Sequence, residues 1–575
     1  MTPEIGRSPR PARAVLAALA LILALPSTAT AGSGFEEPTA SMVVQNPALP
    51  PGTATFVPLI NSGDVAFGDT FEGIPDGIGA VPRKDGWPSW LPYLGNRADF
   101  VDLYVAHEQS HVPFGGFADV QDSSVTRVRI STQTREVVDM QVVLPASAGF
   151  IRFCSAFMAG PREGFPFYTF LLNEESNDQL EVPPGAVYGA DPSLTPNRQA
   201  GYAVYLNTVT GKYDVIAGAG RHNHENTVVV PGGWWGNVVS LSGDDSFATP
   251  STPDRPNLSQ IYQFSGRSFL AYTQDRGELW AFRVTGTHTG PLTPEQIVNP
   301  LNGANDYLDI APGQTWKGEF IKVPEDIARG TTAALPQNAL EDWSNANNVF
   351  QFVRVEDMDY DPDNPRVVYF TDTGNTRIKQ SAVSGRLYRQ VVNDATQKPW
   401  TDSDGRVFRM VLNAHNPRMV DSFSIVAEGG LRVQNLDGTT TTLVAPWFRS
   451  PDNLDAGSNS LMLQEDAADA KIWQWNYGPA LTDWRHIATV DGPVQVTPDP
   501  SESSGILDVS RWFGAGWWAL DVQAHARATS PPASDWQFFD PTVQTWTGPP
   551  GPAVGSTYQV KREQGQLLLM HVPGS

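Results

Sequence analysis

The stretch Asp102-Leu-Tyr-Val-Ala-His-Glu108 is an apolar strand pattern that stops at a carboxylate, and the chain repeats this pattern. Further apolar runs that end in acidic residues are Tyr168-Thr-Phe-Leu-Leu-Asn-Glu-Glu175, Phe269-Leu-Ala-Tyr-Thr-Gln-Asp275, Val368-Tyr-Phe-Thr-Asp372, Phe423-Ser-Ile-Val-Ala-Glu428 and Ser460-Leu-Met-Leu-Gln-Glu-Asp466. Several are followed by a turn and a second strand, as in Gly277-Glu-Leu-Trp-Ala-Phe-Arg283. The repeat therefore indicates a hairpin with a carboxylate at one end of its first strand.

Hairpin modules spaced by tens of residues are typical of a β-propeller. Because a blade takes about 40–50 residues, a chain of 575 residues has room for six blades with long insertions. We therefore expect an all-β chain that forms a six-bladed β-propeller. A two-sheet sandwich, or two smaller β domains, is the alternative architecture.

The repeated acids have two interpretations. In a propeller, equivalent strand ends converge on one channel, so six acids would surround one of its mouths. Such crowding is unfavourable without bound cations, because each carboxylate raises the pKa of its neighbours. The alternative is that the acids mark solvated turns.

The charge balance limits the partners of the chain. With 39 Lys and Arg against 62 Asp and Glu, the formal net charge is −23. Nucleic acids and anionic membrane surfaces bind basic faces, so the sequence predicts no nucleic-acid partner. An anionic small substrate remains compatible, because bound cations can reverse the local sign of a pocket.

The N-terminus has the pattern of a secretory signal peptide. Three arginines precede the apolar run Ala14–Leu25, which ends near the small residues Ala29-Thr30-Ala31. A positive region, a short apolar core and an A-x-A site predict cleavage after residue 31. An uncleaved anchor is the alternative. We expect a secreted or periplasmic protein with no later membrane span.

Cys154 is the single cysteine, so the exported chain can form no internal disulfide. A lone thiol in an oxidising compartment is a hazard unless it is buried or bound to a metal. Composition alone favours inert burial, because free cysteine is among the most buried residue types.

Four polar clusters contain candidate ligands: His222-Asn-His224-Glu225-Asn226, Gly243-Asp244-Asp245, the acidic run from Asp357 to Asn364, and Pro451-Asp452-Asn453. Hard divalent cations prefer several oxygen ligands, which clustered Asp and Asn supply. The histidine cluster is alternatively a polar surface loop, and the run after Asp357 is more typical of a β-turn. Arg354-Val-Glu356 is either a structural ion pair or a phosphate-binding arginine beside a metal ligand.

These motifs resemble the PhoX-type secreted alkaline phosphatases and their wider propeller superfamily, from about Asp99 to the C-terminus. The motifs that carry the resemblance are His107-Glu108, Cys154-Ser-Ala, Asn173-Glu174-Glu175, Gly220-Arg-His-Asn-His-Glu-Asn226, Ser242-Gly-Asp-Asp245, Arg354-Val-Glu356-Asp357, Ser450-Pro-Asp-Asn453 and Gln464-Glu-Asp466. The chain departs from the family pattern at Val355, where the family has proline, and between Cys154 and the Glu-Glu pair, where the spacing is longer.

The resemblance implies a six-bladed propeller with a central iron–calcium cluster that hydrolyses phosphate monoesters. It implies that Cys154 and Glu225 hold iron, and that Arg354 binds phosphate. The other ligands it implies, for iron or calcium, are Glu174 or Glu175, Asp244, Asp245, Glu356 and Asp452. In this context Cys154 is interpreted as a ligand, because a metal lowers the pKa of a thiol. Calcium alone is the alternative cofactor.

With the resemblance, the sequence predicts a signal peptide over residues 1–31, an irregular lead-in over 32–83 with one strand near Thr53–Leu59, and a single PhoX-like propeller domain over 84–575. The predicted function is a metal-dependent phosphatase with its site at the channel mouth. The alternatives are a non-catalytic, calcium-stabilised propeller that binds ligands or partners, and a lactonase-like propeller hydrolase in which His222 or His224 acts as base. The sequence makes no prediction of oligomeric state.

Overall fold

The computed structural model describes residues 40–108, 123–177, 179–181, 197–234, 237–246, 252, 258–289, 306–331, 335–381, 386–389, 399–444, 447–467, 470–478, 483–491, 501–526, 538–540, 545–547 and 562–575. This part of the chain is nearly all β, with 37 strands and four short α-helices, which confirms the predicted all-β class. The predicted signal peptide lies outside it. None of the helices in the described ranges has the length and apolar character needed to cross a membrane.

Six units of four antiparallel strands make up most of the described chain. Unit 1 is β5 (Pro75–Arg83), β6 (Phe100–His107), β7 (Ser124–Ser131) and β8 (Val137–Leu144); unit 2 is β9 (Phe157–Ala159), β10 (Thr169–Asn173), β13 (Ala203–Asn207) and β14 (Tyr213–Val215); unit 3 is β15 (His224–Val229), β16 (Val238–Asp244), β17 (Ile261–Gly266) and β18 (Glu278–Thr289). Unit 4 is β20 (Val355–Tyr360), β21 (Val367–Asp372), β25 (Arg406–Leu412) and β26 (Met419–Glu428); unit 5 is β29 (Pro451–Ala456), β30 (Leu461–Glu465), β31 (Lys471–Trp475) and β32 (Trp484–Val490); unit 6 is β33 (Ser501–Asp508), β34 (Trp517–Ala526), β37 (Arg562–His571) and β2 (Thr55–Asn61). A further strand, β19 (Thr315–Lys322), pairs with both β18 and β26 and joins units 3 and 4 into one nine-stranded sheet.

The first strands of the six units contact one another in order. These strands are β5, β9, β15, β20, β29 and β33, and each lies at an edge of its sheet. Each contacts the first strand of the next unit, and β33 contacts β5. The six first strands therefore form a closed ring.

The N-terminal strands complete the last two units. β2 pairs with β37, so the fourth strand of unit 6 comes from the beginning of the chain. β1 (Val43–Gln45) likewise pairs with β32 at the edge of unit 5. The segment 32–83 was predicted to be irregular apart from one strand, and this is wrong for its described part. That part contains β1, β2, β5 and the small hairpin of β3 (Val65–Ala66) and β4 (Asp69–Thr70).

The apolar core lies between neighbouring units. Successive side chains of a strand point to opposite faces, and the run from Leu567 to Met570 in β37 shows the consequence. Leu567 and Leu569 pack with unit 1, whereas Leu568 and Met570 pack with unit 5. Because both faces of such a strand are buried, its sequence is a continuous apolar run rather than an alternating one.

The remaining elements lie in insertions. A five-stranded sheet contains β22 (Arg377–Gln380), β23 (Leu387–Arg389), β24 (Trp400–Ser403), β27 (Leu431–Gln434) and β28 (Thr440–Val444), and two hairpins pair β11 (Gln179–Glu181) with β12 (Asn197–Gln199) and β35 (Phe538–Asp540) with β36 (Thr545–Thr547). The helices are α1 (Phe269–Thr273), α2 (Glu325–Arg329), α3 (Pro336–Ala346) and α4 (Ser510–Phe513). The predicted strand at Phe269 is wrong, because the Ser268 side chain accepts a hydrogen bond from the Ala271 N–H and begins α1 there.

Candidate metal centre

In five of the six units a repeated turn positions one side chain at or just before the start of the first strand. In four units the turn residue is left-handed, namely Ile74 (φ 49°), Arg152 (φ 47°), Arg354 (φ 61°) and Ser450 (φ 47°). Its carbonyl accepts a hydrogen bond from a residue just beyond the second strand, in the pairs Glu108–Ile74 (3.0 Å), Glu175–Arg152 (3.0 Å), Thr373–Arg354 (2.9 Å) and Asp466–Ser450 (2.8 Å). In unit 3 the Asn223 carbonyl accepts from Asp245 in the same way, at 3.0 Å.

The residue two positions after each of these five carbonyls carries a ligand atom. These residues are Asp76, Cys154, Glu225, Glu356 and Asp452. In unit 6 the corresponding residue is Glu502, which is second in β33 just as Asp76, Glu225, Glu356 and Asp452 are second in their strands. Five of the six units therefore contribute a carboxyl group from the second position of the first strand, and unit 2 contributes the Cys154 thiol from the segment before β9.

These side chains, with acids from the ends of second strands, form four ligand groups. They are Asp76–Glu108–Cys154, Cys154–Glu175–Glu225, Glu225–Glu356–Asp452 and Asp452–Asp466–Glu502, and the ligand atoms within each group lie within 4.8 Å of one another. Consecutive groups share Cys154, Glu225 or Asp452. We call this continuous array the metal centre, since three protein ligands in close approach are the usual basis of a cation site.

The centre is crowded with groups that are costly to ionise. Burial first, and then the charges of Glu175, Glu356 and Asp452, raise the pKa of Glu225 well above its usual range. Burial also raises the pKa of Glu356 and Asp452, and it raises that of Asp76 to about 7. A cation bound among these side chains would stabilise their ionised forms and so lower these pKa values.

Cys154 lies inside the array. Its thiol donates a hydrogen bond to Asp76 Oδ2 at 3.1 Å. Burial, followed by the negative charge of Asp76 and Glu225, raises the pKa of the Cys154 thiol well above its usual range. The thiol is therefore unreactive without a cation, and a cation held between the first two ligand groups would favour the thiolate.

Buried carboxyl oxygens without a hydrogen-bond partner indicate where a cation would fit. Both carboxyl oxygens of Glu225, which is fully buried, and Oδ1 of Asp452 have no hydrogen-bond partner among the described residues. Buried polar atoms are almost always paired, and a pair of unpartnered oxygens on a buried glutamate is costly. The residues present therefore fit bound cations.

Arg354 lies at the edge of the centre. Its Nε and Nη2 donate to the two carboxyl oxygens of Asp245, both at 3.0 Å, and Nη2 lies 3.3 Å from Glu356 Oε1. About 18% of the Arg354 side chain is exposed. The left-handed backbone at Arg354 is uncommon for a residue with a long side chain, and strain of this kind is concentrated at functional sites.

The structure places five of the predicted metal ligands in the ligand groups and three outside them. Cys154, Glu175, Glu225, Glu356 and Asp452 belong to the ligand groups. Asp245 instead pairs with Arg354. Glu174 is directed away, where its carboxylate accepts the backbone N–H groups of Ile151 and Tyr202. Asp244 accepts from Ser246 beside Glu341 and is outside the four groups.

Four ligand residues were not predicted as sites: Asp76, Glu108, Asp466 and Glu502. Glu108 and Asp466 end two of the repeated acidic strands, so the pattern contained a signal for them. The other acids of that pattern form ion pairs or hydrogen bonds outside the ligand groups. Asp275 pairs with Arg329, Glu428 pairs with Arg406, and Asp372 accepts the backbone N–H of Arg406.

The two histidines of the histidine cluster are structural. His222 and His224 are buried with ring centroids 3.6 Å apart, and both side chains hydrogen-bond to Ser242 Oγ. Burial lowers the pKa of His224 to about 3, so the ring is neutral. The run after Asp357 forms the expected turn, in which the Asp361 carboxylate accepts the N–H groups of Asp363 and Asn364.

No protein-family model and no curated protein matches the chain. Among solved structures, a protein from Bacteroides uniformis provisionally described as a 6-phosphogluconolactonase is 12% identical, with a TM-score of 0.21, and the match covers 69% of this chain and 80% of that one. A second provisional 6-phosphogluconolactonase, from Bacteroides fragilis, is 9% identical, with a TM-score of 0.21 and coverage of 67% and 95%. A chain of the nidogen/laminin complex is 8% identical, with a TM-score of 0.22 and coverage of 67% and 99%.

These TM-scores are too low to support an argument about function. Two of the three descriptions name the lactonase chemistry of the predicted alternative, and none of the three names a phosphatase.

Proposed function

We propose that the six units are the blades of a six-bladed β-propeller. Three observations support this: the first strands contact one another in a closed cycle, each is the edge strand of its unit, and apolar clusters fill the spaces between neighbouring units. The pairing of β2 with β37 would then close the propeller by joining the two ends of the chain. The axis of such a propeller would pass through the metal centre.

We further propose that the metal centre makes the protein a metal-dependent hydrolase of phosphoric esters, related to the PhoX-type phosphatases. The observation that carries the proposal is the array of four ligand groups linked by shared residues. A structural calcium site needs only one such group, whereas an array of neighbouring cations can contact both the attacking and the leaving oxygen of an ester.

The donor atoms favour two kinds of cation. The two groups that contain Cys154 combine a soft thiolate with carboxylates, which suits a transition metal such as iron. The two remaining groups offer only carboxylate oxygens, which suits calcium. Bound cations would supply Lewis-acid polarisation of the phosphoryl group and would neutralise the repulsion between the acidic centre and an anionic substrate.

Arg354 would orient the substrate. A guanidinium forms paired hydrogen bonds with phosphate oxygens as readily as with a carboxylate. An incoming phosphoryl group would compete with Asp245 for Nε and Nη2, and Asp245 would hold the guanidinium in position until then. Charge that develops on the phosphoryl oxygens in the transition state would be stabilised by this fixed cation.

Replacing Arg354 by alanine is expected to lower kcat/KM for p-nitrophenyl phosphate by about 100-fold or more, because the phosphoryl oxygens lose a positioned cation. Arg354→Lys keeps the charge without the planar fork and should recover only part of the activity. Metal content, measured on the same samples, should stay at the wild-type value. The control is Arg283→Ala, which removes a surface ion pair with Glu319 and should leave turnover unchanged. Wild-type turnover in Arg354→Ala would contradict the assigned role.

A lactone substrate is the second candidate, and D-glucono-1,5-lactone is therefore assayed beside p-nitrophenyl phosphate on metal-loaded and chelator-treated protein. His222 and His224 are buried and hydrogen-bonded to Ser242, so a base for lactone hydrolysis would come from the carboxylates of the centre. Metal-dependent phosphate release supports the phosphatase, and metal-dependent hydrolysis of the lactone alone supports the second candidate. Absence of both reactions in metal-loaded protein would indicate a non-catalytic propeller.

A further inference from the structure

A separate cavity lies on the same ring of first strands, away from the metal centre. It has a volume of about 370 Å³ and is lined by the later residues of β5, β20, β29 and β33 and by β9. Its acids Asp359 and Asp455 follow the metal-centre residues Glu356 and Asp452 by three positions. At a rise of about 3.3 Å per residue, they lie about 10 Å further along their strands. The cavity shares no lining residue with the four ligand groups.

Hydrogen-bond acceptors dominate the polar lining. Asp359 Oδ2 accepts the Ala456 N–H at 3.1 Å, and Asp455 Oδ2 accepts the Asp508 N–H at 2.6 Å. These contacts fix each carboxyl group to the neighbouring strand. The two carboxyl groups also share a side-chain hydrogen bond, which, with the charge of Asp359, is among the causes that raise the pKa of Asp455.

An unpartnered acceptor lies at the same site. Asn226 lines the cavity and is only 3% exposed, and its Nδ2 donates to Asp357 Oδ1 and to the Met358 carbonyl. These two acceptors fix the orientation of the amide. Asn226 Oδ1 therefore cannot exchange places with Nδ2, and it has no hydrogen-bond partner among the described residues. A ligand that donates hydrogen bonds would satisfy it.

Acidic side chains outnumber basic ones in the lining of the cavity. Five acids line it, namely Glu163, Asp357, Asp359, Asp455 and Asp508, against two arginines, Arg162 and Arg511. The arginines donate to neutral acceptors, the carbonyls of Pro362 and Leu94 and the Asn96 side chain. No ion pair among the described residues includes any of the five acids.

Aromatic rings form the rest of the wall. Phe157, Tyr168, Tyr360 and Trp512 line the cavity. The Tyr360 hydroxyl donates to Glu163 at 2.6 Å, which holds its ring in place. Arg162 lies over the Tyr360 ring, 5.1 Å from its centroid, and its charge acts on Glu163 and Asp359. Aromatic faces beside carboxylates are the surroundings in which proteins bind organic cations, because the ring quadrupole and the carboxylates attract the same charge.

We propose that this cavity binds a small organic ammonium ion, with its N–H groups donating to the Asp359–Asp455 pair and its carbon skeleton against the aromatic wall. The proposal is independent of the hydrolase function, since the cavity and the metal centre have no residue in common.

The test is isothermal titration of the metal-loaded protein with benzylamine, and with benzyl alcohol as a neutral ligand of the same shape. Benzylamine is expected to bind at least about tenfold more tightly, because only the cation forms charge-assisted hydrogen bonds.

Asp359→Asn combined with Asp455→Asn should weaken benzylamine binding by about tenfold or more, while each asparagine can still accept the backbone N–H. Trp512→Ala removes one ring of the aromatic wall without changing a charge and should also weaken binding. Asp139→Asn, on the outer strand β8, is the matched control and should bind as wild type.

Three results would overturn the proposal: no binding of benzylamine to folded wild-type protein, equal affinity for benzyl alcohol, or unchanged affinity in the Asp359→Asn, Asp455→Asn variant. Displacement of benzylamine by calcium in protein whose metal centre is already loaded would also overturn it, in favour of a metal site. Cys154→Ser should bind benzylamine normally even if it has lost its metals. Loss of amine binding in that variant would place the amine in the metal centre and reject the separate cavity.

Discussion

Replacing Glu225 by glutamine is expected to change the stability of the protein in opposite directions with and without metal. In metal-free protein at pH 8, glutamine removes a buried carboxyl group that is costly to ionise and whose oxygens have no hydrogen-bond partner among the described residues, and its amide can donate to the neighbouring carboxylates. The melting temperature should therefore rise. In metal-loaded protein the same change removes a ligand that two of the four groups share, so the stabilisation by metal should shrink. Turnover should fall by roughly 100-fold or more.

Glu174→Gln is the matched control, because Glu174 is also a fully buried glutamate. Its carboxylate accepts two backbone N–H groups, and glutamine can replace only one acceptor. The variant should be destabilised by about 1–3 kcal/mol, with or without metal. Thermal unfolding of both variants, with and without chelator, distinguishes the two roles. A lower melting temperature of Glu225→Gln in both states would show that Glu225 is structural and would contradict its role as a ligand.

Removal of metal is expected to destabilise the protein more at pH 8 than at pH 5. The folded-state pKa values of Asp76, Glu225, Glu356 and Asp452 are raised by burial and by one another, to about 7 for Asp76. In metal-free protein these groups therefore hold protons that the unfolded chain has lost. Their contribution to stability is complete below the unfolded pKa values near 4 and is lost as the pH rises through the folded values.

Bound cations should reverse this pH dependence, because they favour the ionised carboxylates and the Cys154 thiolate and release protons on binding. Chelator-treated protein should melt at least about 5 °C lower at pH 8 than at pH 5. The increase in melting temperature on adding iron and calcium should be larger at pH 8. A metal-free protein that is more stable at pH 8 would show that the centre is neutralised by groups of the protein itself.

Part of the metal centre was predictable from the sequence, because its residues stand in recognisable motifs. Cys154, Glu225, Glu356 and Asp452 were all identified in this way. Asp76 and Glu502 were not, because each stands in a stretch of Gly, Pro and Ser without a strand-like pattern. The five acids share the second position of a first strand, and Cys154, which precedes β9, shares with four of them a place two residues after the turn carbonyl. Both positions are set by backbone geometry.

The turn that sets the position of these residues has no common sequence. The four left-handed positions are occupied by an isoleucine, two arginines and a serine, so no residue type marks the turn. Its hydrogen bond joins residues between 16 and 34 positions apart, such as Asp466 with Ser450 and Glu108 with Ile74. Only the assembled unit reveals which acid of a strand end faces the centre. Asp275 and Glu428 ended apolar runs as Glu108 does, yet arginine partners in their own surroundings bind them.

The fold was predictable at the level of its class. Short apolar runs between turns predicted β-structure over most of the chain, and strands such as β6, β10 and β21 lie where they were expected. The pairing of β2 with β37 was not predictable, because partners such as Phe56 and Met570 lie more than 500 residues apart and neither strand specifies the other. The run at Phe269 was predicted to be a strand because it is apolar. It is helical in the structure, where the Ser268 side chain caps the N-terminus of α1.

The central claim is that Cys154 and the surrounding carboxylates hold a multinuclear metal centre that hydrolyses phosphate esters. The most direct test is metal analysis of the purified protein lacking residues 1–31, wild type beside Cys154→Ser, with turnover of p-nitrophenyl phosphate on the same samples. We expect iron and calcium together in the wild type, and loss of iron and of turnover in the variant. Calcium alone, unchanged by the substitution and without turnover, would contradict the claim and identify a calcium-stabilised binding protein.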